Sequence, residues 1–60
     1  MRTGDWVRVI GLDVDGGSSR LRQIGKVLYQ MGEFVAVIFG KTAALFKISS
    51  LKEYHVSRKP

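Results

Sequence analysis

Apolar and polar residues exchange places over short intervals along this chain, at the spacing of strands rather than helices, and glycines punctuate the runs. Trp6-Val7-Arg8-Val9-Ile10 puts Val7 and Val9 on one side and Arg8 on the other, the pattern of a half-buried strand that Gly11 ends. Leu12 to Gln23 reads as a long loop, with Asp13, Asp15, Gly16, Gly17, Ser18 and Ser19 as its turn residues. A second strand is predicted from Ile24 to Gln30. Met31-Gly32 then turns the chain, because glycine takes positive φ at no steric cost. A third strand runs from Glu33 to Phe39, Gly40-Lys41 fits a two-residue hairpin loop of the Gly-X kind, and a fourth strand covers Thr42 to Ile48. Ser49-Ser50-Leu51 predicts one tight helical turn and Glu53 to Val56 a short closing strand. Residues 1–56 then form a single domain and 57–60 a flexible basic tail.

The Gly40-Lys41 loop fixes a register. If those two residues turn the chain, Phe39 pairs with Thr42, Val37 with Ala44 and Val35 with Phe46. Val35, Val37, Phe39, Ala44, Phe46 and Ile48 then share one face and are the core candidates. The opposite face carries Phe34, Ala36, Ile38, Ala43 and Leu45, with Lys47 at its edge. It is apolar as well, and the chain has no helix with which to cover it. A contiguous exposed apolar face marks an interaction site, so these residues are candidates for docking a partner. Three other covers remain open: the long loop with Leu12, Val14 and Leu21, strong coiling of the sheet, or a second copy of the chain. The faces taken by Val27 and Tyr29 depend on the turn at Met31-Gly32 and stay undetermined.

Composition narrows the class. Sixty residues make one domain with a thin core. Without cysteine there is neither a disulfide framework nor a thiolate metal site, and His55 alone cannot supply a multi-histidine one. A hydrophobic share of 45% with 25% charged residues is that of a folded domain. The longest apolar run, Phe34 to Phe39, is far short of the ~20 residues that span a bilayer. Arg2-Thr3-Gly4-Asp5 is too polar to open a signal peptide, so the expected location is cytoplasmic or peripheral on a membrane complex. The net charge of +5 points to an acidic partner or serves solubility, since the Lys and Arg are dispersed apart from Arg20-x-Arg22 and Arg58-Lys59.

No catalytic constellation is visible. His55 beside Tyr54 is the lone histidine. Asp13-x-Asp15-Gly16-Gly17 resembles part of a calcium loop, but Ser18 and Ile24 stand where that loop needs glycine and glutamate. Gly16-Gly17-Ser18-Ser19 lacks the lysine and following helix of a phosphate loop. The expectation is a protein that is not an enzyme and has neither metal nor cofactor. Nucleic acid is the alternative partner: Arg20, Arg22, Lys26, Lys41, Lys47 and Lys52 would hold phosphates while Trp6, Tyr29 or Phe34 stacks on a base.

Five short strands, a long first loop and a helical turn before the last strand predict an all-β fold, a small five-stranded SH3-like barrel. An OB-fold needs a helix between strands three and four, for which Gly40-Lys41 leaves no room. The sequence also resembles, from about residue 4 to 56, the small SH3-like subunits of photosynthetic electron-transfer complexes. These are the S and O subunits of the NAD(P)H dehydrogenase-like complex and, as cousins, the small SH3-like subunit of photosystem I and the ferredoxin–thioredoxin reductase variable chain. The segments that carry the likeness are Gly4-Asp5-Trp6-Val7-Arg8-Val9, Gly25-Lys26-Val27, Ala36-Val37-Ile38-Phe39 and Phe46-Lys47-Ile48-Ser49-Ser50-Leu51 closing into Lys52-Glu53-Tyr54. The connection between strands three and four is shorter here than in that family. The resemblance implies a non-catalytic accessory subunit that braces a larger complex and helps receive an acidic protein, with Arg8, Lys26 and Lys47 at the matching basic positions. At pattern level, Gly4-Asp5-x-Val7 with Ile24-Gly25-Lys26-Val27 is similar to the KOW motif. Val35 to Phe39 before Lys47 and Lys52 is similar to integrase C-terminal domains.

Overall fold

A computed structural model describes residues 1–55 as five antiparallel strands and one 3₁₀ turn. The strands are β1 (Trp6–Val9), β2 (Ile24–Met31), β3 (Phe34–Phe39), β4 (Thr42–Lys47) and β5 (Leu51–Glu53), with the 3₁₀ turn at Ile48–Ser50. Val56 and the predicted tail lie outside the described residues. All five strands belong to one sheet in the order β4-β3-β2-β1-β5. The all-β class, the strand count, the long first loop and a turn before the last strand are therefore as predicted, but the turn starts at Ile48 instead of Ser49 and β5 at Leu51 instead of Glu53.

Both short hairpins depend on a glycine at the first loop position. Gly40 has φ +67° and Phe39 pairs with Thr42 across it; Gly32 has φ +60° and Met31 pairs with Phe34. This is the Gly-X geometry whose twist matches that of the flanking strands. The β3–β4 register follows, with Val37 opposite Ala44 and Val35 opposite Phe46. The second turn falls at Gly32-Glu33, so β2 gains Met31 relative to its predicted end.

The β2–β3 ladder carries an irregularity. Val27 pairs with Val37 but Tyr29 pairs with Ala36, which leaves Leu28 as an extra residue. Such a bulge bends the strand and inverts the side-chain alternation beyond it. The N-terminal segment accommodates it: the Thr3 hydroxyl donates to the Leu28 carbonyl at 2.7 Å, and the Gly4 N–H donates to the Val27 carbonyl at 2.8 Å.

Val7, Val9, Val27, Val35, Val37, Phe46 and Leu51 are buried together on one face, with Met1, Phe39 and Ala44 packed at the margin. Phe39 meets Phe46 edge to face, their centroids 6.0 Å apart. A flat sheet without a second layer would leave this face in water, so the sheet must curl over it. Gly25 permits a close approach within that curl. A Cβ there would lie 2.5 Å from Val37 Cγ1 and 2.8 Å from the Ile38 carbonyl oxygen. One core assignment changes: Ile48 is exposed, because the 3₁₀ turn begins there and takes it off the period-two face. Leu51, three residues later, is buried instead.

Candidate functional site

Strand pairing collects the other face residue by residue. Lys26 lies opposite both Trp6 and Ile38, and Ile38 opposite Ala43. Tyr29, Ala36 and Leu45 form a second row across β2, β3 and β4; Met31, Phe34 and Lys47 form a third. Arg8 lies opposite Lys52. None of these strand positions holds an Asp or Glu.

The predicted docking residues do share this face, with unequal exposure. Phe34 keeps 37% of its surface and Leu45 36%; Ala43 is exposed and Ile38 half-buried. Ala36 corrects the expectation of a uniformly open face, since it retains only 7%. Its methyl sits in the row between Tyr29 and Leu45, whose larger side chains shade it from solvent. Tyr29, whose face the sequence left open, and Met31, expected in the turn, are exposed on this face because the Leu28 bulge turns them outward, while Val27 joins the core.

The long loop does not lie across these residues. It follows the free edge of β4, where the Val14 N–H donates to the Leu45 carbonyl at 3.1 Å. Leu12, Val14 and Leu21 all remain exposed. Asp13 organises the loop tip, its Oδ1 accepting from the backbone N–H of Asp15 at 2.9 Å and of Gly17 at 2.8 Å. That carboxylate therefore acts as turn chemistry.

Of the cations, Lys26, Arg8, Lys52 and Lys47 stand on the face and Lys41 in the β3–β4 turn. Arg20, a candidate phosphate contact, already has internal partners. Its guanidinium donates to Thr42 Oγ1 and Gln23 Oε1 and lies 4.9 Å from the centroid of the Phe39 ring, beside the core. Lys26 Nζ sits 4.9 Å from the Trp6 centroid, and the Arg8 guanidinium 5.6 Å from that of Tyr54. The Tyr54 N–H donates to the Trp6 carbonyl at 2.9 Å, placing Tyr54 beside Trp6. Only a three-strand arrangement could have revealed this cluster of Trp6, Lys26, Arg8, Tyr54 and Lys52.

Among the described residues no Lys or Arg forms an ion pair with a carboxylate; the ion pair present joins His55 and Glu53 at 3.8 Å, both largely exposed. Arg22 is the sole described non-glycine residue with positive φ, at +72°. That conformation costs an L-residue on the order of 1 kcal/mol. No described helix is long and apolar enough to cross a membrane. The chain matches no family model, no curated protein and no solved structure.

Proposed function

We propose that this chain is a non-catalytic SH3-like binding module, an accessory subunit that docks the outer face of β2–β4 onto an acidic protein of a larger complex. The observation that carries the reading is the composition of that face. Phe34, Leu45, Ala43, Tyr29 and Met31 are exposed, while Lys26 and Lys47 flank them and no strand position on the face is acidic. Apolar area supplies the association energy, and cations without a carboxylate partner among the described residues select a negatively charged companion. The likeness to small subunits of photosynthetic electron-transfer complexes supports the same class of role. So does a meander β1–β4 with β5 returning beside β1.

Nucleic acid is the second reading, favoured by the grouping of Trp6 and Tyr54 with Lys26, Arg8 and Lys52. Aromatic rings between cations suit stacked bases and phosphates. Two variants and one assay separate the readings. Leu45→Glu places a charge in the apolar face at a position that keeps 36% of its surface, so the variant should still fold, with a lowered melting temperature. The protein purified from its native host should carry a stoichiometric companion that Leu45→Glu loses. Tight retardation of random single- or double-stranded oligonucleotides, with a steep salt dependence and no effect of Leu45→Glu, would replace the docking reading by the nucleic-acid one.

A further inference from the structure

We propose that the groove between β1 and the end of the long loop is an anchoring subsite for an acidic peptide segment, taking a carboxylate beside an aliphatic side chain. The proposal rests on the docking reading and specifies what the partner must present. The groove is an open depression of about 590 Å³ lined by Arg8, Val9, Ile10, Leu21 and Arg22. Ile10 and Leu21 are exposed apolar side chains, and the two charged residues are both arginines. Of two smaller clefts, the one of about 100 Å³ includes Asp5 and Glu53, which would repel an acidic ligand, and the one of about 200 Å³ sets Glu53 beside Arg8 and Lys52.

Arg22 is the informative residue. Its backbone holds a conformation that Gly or Asn adopts with less strain, and the described chain elsewhere uses glycine for it, at Gly4, Gly16, Gly32 and Gly40. No contact among the described residues compensates for an arginine there. Among the described residues its guanidinium makes no hydrogen bond, ion pair or ring contact, whereas that of Arg20 makes both hydrogen bonds and a ring contact. Its backbone is nevertheless pinned: the Arg22 N–H donates to the Val9 carbonyl at 2.8 Å, and the Val9 N–H donates to the Gln23 carbonyl at 2.9 Å. An unpaired guanidinium on a strained, fixed backbone, at a residue lining a groove that Arg8 also borders with its own guanidinium 5.6 Å from the Tyr54 ring, is a side chain kept for an external ligand. Guanidinium N–H groups match a carboxylate in a planar fork. The aliphatic floor of Ile10 and Leu21 favours a peptide side chain over a nucleobase, which Trp6 and Tyr54 would stack instead.

The test is titration of the ¹⁵N-labelled protein with an acetylated, amidated hexapeptide of alternating Glu and Leu, in parallel with its Lys–Leu counterpart and an oligothymidylate. The Glu–Leu peptide should shift the amides of Ile10, Leu21, Arg22 and Gln23, and the Lys–Leu peptide should not. Arg22→Gly should bind the acidic peptide about tenfold more weakly, as loss of a charge-assisted contact implies. Its melting temperature should stay level or rise, because glycine relieves the left-handed backbone. The subsite is refuted by unchanged peptide affinity in Arg22→Gly, by equal binding of the Lys–Leu peptide, or by shifts confined to the oligonucleotide titration. A marked fall in the melting temperature of Arg22→Gly would equally refute it, by making the arginine structural. If Leu45→Glu loses the native companion while Arg22→Gly keeps it, the groove is wrong and the docking face stands.

Discussion

Gly25 and Arg22 lie three residues apart and show opposite ways in which a single position is constrained. At Gly25 the constraint is space: Val37 and the Ile38 carbonyl occupy the volume a methyl would need, and a backbone oxygen in a ladder cannot move aside. Gly25→Ala is expected to cost about 1–3 kcal/mol, the range for overpacking. For a domain of this size that lowers the melting temperature by about 4–8 °C per kcal/mol, measurable by calorimetry. At Arg22 the constraint is conformational, and the resident side chain violates it. Neither was legible from the sequence. Gly25 stands in an otherwise ordinary strand, and a positive φ at Arg22 follows from how the loop rejoins β1. Ala36 makes the same point, since parity assigned its face correctly while its neighbours across two strands decided its exposure.

At the scale of elements, the two hairpins were the most readable part of the chain. Gly40-Lys41 sets a two-residue loop, and a period of two then assigns every residue of β3 and β4 to a face without further information. Gly32→Ala and Gly40→Ala should each destabilise the protein by about 1 kcal/mol, because alanine is strained at positive φ. The loop tip is a second local device. Asp13→Ala removes an acceptor for two backbone N–H groups and should cost about 1 kcal/mol, whereas Asp13→Asn keeps a side-chain oxygen and should cost less. Thermal melts of the pair test this. The misread core position and the undetermined one share one cause, an interruption of the period: the 3₁₀ turn removed Ile48 from the core, and the Leu28 bulge decided the face of Tyr29.

For the whole molecule, stability is small and charge is unbalanced. A 60-residue domain holds roughly 3–9 kcal/mol in total at typical stability per residue. Phe46→Ala removes the largest fully buried side chain and should cost about 3–5 kcal/mol, enough to unfold much of the population at 37 °C by circular dichroism. With a net charge of +5 and no Lys or Arg paired to a carboxylate among the described residues, the free protein repels itself. Added sodium chloride should therefore raise its melting temperature while weakening its hold on an acidic partner, and differential scanning fluorimetry across a salt series reads the first effect. The chain by itself determined the strand succession, the β3–β4 register and the existence of two apolar faces, since these rest on local turn chemistry and a period of two. Only the tertiary structure decided that Trp6, Arg8, Lys26, Lys52 and Tyr54 gather on one side and that Arg22 joins Arg8 around a groove. Those groupings come from pairing between strands far apart in the chain, and neighbouring residues along a sequence carry no trace of what will lie opposite them.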